Sequence, residues 1–316
     1  MPLLELIDVR KHFRVTSGLM GLKSDTVRAV DGVTLSVKKG ETLGLVGESG
    51  CGKSTLAKCV MGLQQTTSGD VLFDGRSIAQ WDEKELRRRI QMIFQDPYSS
   101  LNPRQKISSI IREGLDIHKI GTKEERKAKV EELLGLVGLR PEHGNRYPHE
   151  FSGGQRQRVA VARTLALDPQ LIVCDEPVSA LDVSVQAQVL RLLKDLQRNF
   201  GLTYIFISHD LSVVSHISDR VAVMYLGRIM EIGPSETLFR NPRHPYTEAL
   251  LSAVLPPDPD SQPERIPLTG DLPSPMNPPS GCPFHPRCPK AFDKCSLARP
   301  EPEEIEPGTE VACWLY

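Results

Sequence analysis

No stretch of this sequence approaches the ~18 consecutive apolar residues that a membrane-spanning helix needs, and its N-terminus lacks the basic segment and continuous apolar run of a secretory leader. A chain that works in the cytosol is therefore expected. An excess of charge of one sign is lacking too: lysine and arginine total 39 against 40 aspartates and glutamates. With charges balanced, the whole molecule has no strong pull on nucleic acid or an anionic membrane, although a local basic patch is not excluded. No segment recurs at a fixed period, which argues against a solenoid or a tandem of two similar domains. The seven cysteines include no C-x-x-C pair, so the usual zinc knuckle is missing. In a reducing compartment they are thiols or metal ligands rather than disulfides.

What is present is a phosphate-binding sequence in fitting surroundings. Residues 41–46 read as a buried strand, Gly47-Glu48-Ser49-Gly50-Cys51-Gly52-Lys53-Ser54 matches the phosphate-loop pattern, and residues 54–61 read as the helix it opens. Gly47, Gly50 and Gly52 let the backbone curl, so that amides along Glu48, Ser49 and Cys51 converge on phosphate at the positive end of the helix. Lys53 adds a cation for the terminal phosphates, Ser54 a hydroxyl for Mg²⁺, and Thr55 supports the helix start. The loop alone says only that phosphate is bound. Farther on, Leu171-Ile172-Val173-Cys174-Asp175-Glu176 is an apolar strand ending in two acids. Asp175, at the carboxyl edge of a sheet, suits Mg²⁺, directly or through water, and Glu176 suits a general base for an attacking water. By themselves two such acids are often a solvated turn. Cys174 points the other way, as a buried neutral thiol.

Runs at 3–13, 27–37 and 70–75 read as strands of a small antiparallel sheet. Residues 97–165 shift toward helix formers, with an amphipathic pattern at 123–136. Strand-like runs at 170–175, 202–208 and 221–226 then alternate with helical stretches such as 185–199. The expected fold is α/β: a mostly parallel sheet with helices on both faces, the small antiparallel sheet and a helical subdomain at about 97–165, all within residues 1–255. From Pro256 the composition changes, since residues 256–307 hold 15 of the 25 prolines and little periodicity. Such an extension, 256–316, has no ordinary core, and Cys282, Cys288, Cys295 and Cys313 are the candidates to hold it.

Between the phosphate loop and the acidic strand lies Phe151-Ser152-Gly153-Gly154-Gln155. In that order, the three motifs resemble those of the ATP-binding cassette (ABC) family, over roughly residues 1–255. The resemblance implies a RecA-like P-loop fold and ATP bound between two subunits. It makes Gln95 the Q-loop glutamine, which touches Mg²⁺ and marks the hinge to the helical subdomain. His209 resembles the switch histidine that hydrogen-bonds the γ-phosphate; a histidine after a buried strand is by itself more often structural, and the spacing behind Glu176 reverses that. Asp182 resembles the residue of the loop that communicates between ATP sites. Phe13 lies where the family stacks an aromatic ring on adenine, with a core role as the alternative. Ser152, Gly153, Gly154 and Gln155 would cap ATP held by another cassette, either a second copy or a paralogous ATPase subunit. Phe151 stands where leucine is commoner.

Four further strings narrow the resemblance: Asp96-Pro97-Tyr98-Ser99-Ser100-Leu101-Asn102-Pro103, Arg146-Tyr147-Pro148-His149, Glu176-Pro177-Val178-Ser179-Ala180-Leu181-Asp182-Val183-Ser184 and Asn241-Pro242-Arg243-His244-Pro245-Tyr246-Thr247. They are similar to the second ATPase subunit of bacterial dipeptide and oligopeptide importers, and nickel importers share most of them. This implies an ATPase at the cytoplasmic face of the inner membrane, joined to two transmembrane permease subunits and served indirectly by an extracytoplasmic peptide-binding protein, with no nucleic-acid partner. A soluble ABC protein acting on nucleic acid is disfavoured, because the 98 residues between Lys53 and Ser152 leave room for the helical subdomain alone. A non-hydrolysing ATP binder is disfavoured by Glu176 and His209 together. The pattern Cys282-x5-Cys288-x6-Cys295-x17-Cys313 resembles that of the family's C-terminal extension. Four soft thiolates suit a [4Fe-4S] cluster, with Zn²⁺ or unliganded thiols as alternatives. The extension is expected to lie far from the phosphate loop.

Overall fold

The computed structural model describes residues 1–17, 23–96, 100–253, 266–268 and 270–316. These gather into two compact units, one of residues 1–78 and 208–316, the other of residues 79–207. The expected boundary at Pro256, and Pro97, Tyr98 and Ser99, lie outside the described residues.

In the first unit, Pro2–Ser17 and Lys23–Lys38 pair antiparallel, with Leu4, Leu6 and Val9 opposite Val37, Leu35 and Val33, and all six buried. Ser68–Phe73 joins the other edge of Pro2–Ser17, followed by Arg76–Ser77, which completes the small antiparallel sheet. A second set of strands starts from Thr42–Val46, buried at all five positions, as its unbroken apolar run requires of a strand covered on both faces. It runs parallel to Arg220–Tyr225, which turns back into Arg228–Pro234.

The extension departs from expectation here. Thr309–Val311 pairs antiparallel with Arg228–Pro234, and Glu303–Glu306 pairs in turn with Thr309–Val311. A segment with three glutamates in four residues carries little strand signal, and it takes that form because an existing strand offers ladder partners.

In the second unit, Ile90–Ile93, Leu171–Asp175 and Thr203–Ile207 lie parallel, with Leu171–Asp175 in the middle. The helices Ile107–Ile117, Lys123–Leu136 and Gly153–Leu165 make up the anticipated helical subdomain. Lys123–Leu136 begins at a reciprocal cap: the Glu125 amide donates to Thr122 Oγ1 (3.2 Å) and the Thr122 amide to Glu125 Oε2 (2.7 Å). Val183–Phe200 buries Val189, Leu190, Leu193 and Leu196 on one face and ends at Gly201, whose φ of 63° no β-carbon opposes. Among the described residues no helix is long and apolar enough to cross a membrane.

Candidate functional site

The strand Thr42–Val46 delivers the chain into the phosphate loop, and Lys53–Val60 is the helix that follows. Two glycines are demanded by close approach: a β-carbon on Gly47 would lie 2.1 Å from the Met224 carbonyl oxygen, and one on Gly52 2.1 Å from that of Ala29. Lys53 folds back over the loop, its Nζ donating to the carbonyls of Gly47 (2.7 Å) and Glu48 (3.0 Å). A buried ammonium is thus held among carbonyl dipoles where a phosphate would meet it. Cys51 is buried; its thiol is pushed up by that burial against the pull of Lys53. Ser49, Gly50 and Ser54 are exposed, with Thr55 half-buried. Phe13 is half-buried, opposite Val27, with the Lys11 ammonium 5.0 Å from its ring centre. His209 is exposed just past Ser208, whose hydroxyl accepts from the Asp210 amide (3.0 Å).

In the second unit, two of the expected residues meet: Gln95 Nε2 donates to Glu176 Oε2 at 2.8 Å. Glu176 holds a φ of 47°, a left-handed conformation uncommon for a residue with a side chain. Its amide donates to the Ile207 carbonyl (3.0 Å), and its own carbonyl accepts from the Ser179 amide and hydroxyl (3.3 and 3.1 Å). Asp175 ends the central strand opposite Ile207, and Cys174 before it is fully buried. Ser152 caps Gly153–Leu165: the Gln155 amide donates to its Oγ (3.4 Å) while its own amide donates to Gln155 Oε1 (3.1 Å). Ser152 and Gly153 remain exposed. Gly154 has a packing reason that sequence did not reveal, since a β-carbon there would come 2.3 Å from Val185 Cγ1. Asp182 is exposed at the start of Val183–Phe200. Phe151 turns inward, edge-on to His143 at 5.5 Å, and buried Arg156 donates to the Pro148 and His149 carbonyls (2.6 and 3.4 Å). The string 146–149 thereby supports the turn that carries Ser152.

The expectation that the extension lies far from the phosphate loop is overturned. Arg287, between two of the cysteines, donates to both carboxylate oxygens of Glu48 at 2.7 and 3.0 Å. Beneath this pair Tyr225, Tyr246 and Phe284 form a cluster of rings 4.7–5.4 Å apart, and the Tyr246 hydroxyl accepts from the Glu48 amide (3.0 Å). Sequence reasoning missed both Arg287 and Tyr246; the one signal for the latter was the string 241–247.

Two of the tail cysteines are joined through the backbone, the Cys282 amide donating to the Cys295 carbonyl (2.8 Å). Cys282 and Cys295 are buried, Cys288 and Cys313 half-buried, and none forms a disulfide. Burial pushes the Cys282 thiol up to about 11, against the pull of the Phe284 amide, and charge on Cys313, Cys295 and Cys288 adds to the rise. Among the described residues no three His, Cys, Asp or Glu side chains are placed to hold one metal ion. Cys51, Cys59 and Cys174 are buried elsewhere.

Comparison with known proteins adds two family matches, an ABC transporter model over residues 30–179 and a model of the oligopeptide/dipeptide transporter C-terminal region over residues 230–295. The chain is 56% identical to the oligopeptide transport ATP-binding protein AppF of Bacillus subtilis, covering 99% of this chain and 97% of that protein. It is 51% identical to the dipeptide transport ATP-binding protein DppF of Escherichia coli, covering 99% and 94%. Among solved structures it is similar to an ATP-binding cassette in a dimeric post-hydrolysis state bound to ADP and Pi, with TM-score 0.63 and 30% identity over 73% of this chain and 98% of that one.

Proposed function

We propose, from the premise that this chain belongs to the ATP-binding subunits of oligopeptide/dipeptide ABC transporters, that it hydrolyses ATP to drive peptide import through membrane permease subunits. The observation that carries this reading is the presence in one chain of the cassette, at 30–179, and of the C-terminal region of oligopeptide/dipeptide transporters, at 230–295. The chain then sits at the cytoplasmic membrane face as half of an ATPase dimer, beside a second copy or a paralogue.

The roles follow from the chemistry of the side chains. The phosphate loop and Lys53 bind the phosphates, and Phe13 offers a ring to adenine. Mg²⁺, when bound, neutralises charge on the terminal phosphates; Ser54, Gln95 and Asp175 have the oxygens for it. Glu176, aimed by Gln95 and its left-handed backbone, takes the proton of the attacking water, and His209 donates to the γ-phosphate. Ser152, Gly153, Gly154 and Gln155 present a helix N-terminus to nucleotide on the partner cassette, and Asp182 serves communication between sites. Reconstitution with permease subunits and a peptide-binding protein in vesicles tests the proposal. Oligopeptide or dipeptide uptake should require ATP and vanish with Lys53→Ala; uptake of nickel alone would replace the substrate class.

Cys282, Cys288, Cys295 and Cys313 are assigned to one [4Fe-4S] centre. Support comes from the likeness of their spacing to that of the family's C-terminal extension and from the softness of four thiolates, each of which would hold one iron. When bound, the cluster cross-links a proline-rich segment that cannot bury enough apolar surface alone.

A further inference from the structure

Glu48 is the second residue of the phosphate loop, and three segments hold it. Its amide donates to the Tyr246 hydroxyl, its carbonyl accepts from Lys53, and its carboxylate accepts two hydrogen bonds from Arg287. The Arg287 side chain is 7% exposed and that of Glu48 23%, so water screens the pair little, and its forked geometry fixes direction as well as distance. Arg287 is itself held, with its guanidinium against the Tyr225 ring (5.9 Å) and Nη1 3.4 Å from the Tyr225 hydroxyl. It ends the short turn His285–Arg287, just before Cys288.

An acid at this place has a cost. A loop that binds a polyanion is opposed by any carboxylate left unpaired beside it, and a loop free to wander must be ordered when the ligand arrives. Arg287 answers both problems, since it neutralises Glu48 and draws its side chain toward the extension.

We propose that Arg287 is a positioning residue for nucleotide binding: by fixing Glu48 it preorganises the phosphate loop, so the cysteine-bearing extension sets the affinity of this chain for Mg-ATP. The inference rests on the reading that the loop binds ATP, and Lys53→Ala tests that reading separately.

Binding of a fluorescent ATP analogue with Mg²⁺ to the purified full chain provides the test. Arg287→Met and Glu48→Gln should each weaken binding about tenfold, and Arg287→Lys, which keeps the charge but not the fork, by about threefold. The double variant Glu48→Gln/Arg287→Met should bind no worse than the weaker single, as expected when both changes remove one interaction. Glu48→Gln leaves the extension untouched, so it decides the matter even if Arg287→Met fails to fold. In the assembled transporter these changes should raise KM for ATP more than they lower kcat. If Glu48→Gln and Arg287→Lys bind within twofold of wild type while Lys53→Ala loses binding, Arg287 has no positioning role. Additive losses in the double variant would likewise overturn it. Unchanged binding by Lys53→Ala would instead reject the nucleotide reading of the loop.

Discussion

Glu176 shows what one residue can store. A left-handed φ on a branched-off side chain costs on the order of 1–3 kcal/mol, and it persists because the Ile207 carbonyl, Ser179 and Gln95 hold the residue from three directions. Replacing the carboxylate by an amide keeps the shape and a hydrogen-bond acceptor for Gln95 but removes the base. Glu176→Gln should therefore cut phosphate release by at least ~100-fold with binding of Mg-ATP retained. Turnover close to wild type in the assembled transporter would exclude Glu176 as the base. The residue types Asp175 and Glu176 were legible because a strand pattern precedes them. The backbone of Glu176 was not, because a positive φ in a glutamate leaves no mark in the sequence.

Elements place these residues, and two helix starts are open to test. Ser152 caps Gly153–Leu165 while staying exposed. Ser152→Arg adds bulk and charge and loses a cap worth ~1 kcal/mol. It should abolish hydrolysis in the assembled dimer yet leave analogue binding by the isolated chain nearly unchanged; a loss as severe as that of Lys53→Ala would mean that Ser152 serves its own loop. At Pro245–Ser252 the cap is His244, whose Nδ1 accepts from the Tyr246 amide (3.0 Å). Burial lowers its pKa to about 3, so the folded chain refuses a proton that the unfolded chain accepts below about 6.5. Its contribution is complete above pH 6.5 and is lost as the pH falls toward 3. Between pH 7.5 and 5.5 wild type should lose roughly 1–1.5 kcal/mol more stability than His244→Asn, which retains a capping side chain but cannot titrate. Equal losses in urea melts would refute a buried neutral His244. Several strands and one helix were readable from their apolar pattern, the helix down to the limits of Lys123–Leu136. Glu303–Glu306 was not, because its form depends on a neighbouring strand rather than on its own residues.

For the whole molecule, the question is what the extension is for. Protein prepared without oxygen should be brown, with absorption near ~400 nm and about four irons per chain. Cys288→Ser should bleach it and make the tail protease-sensitive. Because Arg287 adjoins Cys288, the same change should also weaken ATP binding. A colourless chain holding neither iron nor zinc would leave four free thiols and remove the centre. The proline-rich composition and the four cysteines made the extension visible in the sequence, but not its reach. Glu48 and Arg287 are 239 residues apart, and no periodicity or spacing links them.

That separation has a meaning in time. A ribosome adding ~5–20 residues per second completes the glycine-rich turn some ~10–50 seconds before Arg287 exists. Through that interval the nascent chain carries its phosphate loop unfastened, and its hold on nucleotide tightens only after Arg287 has been made.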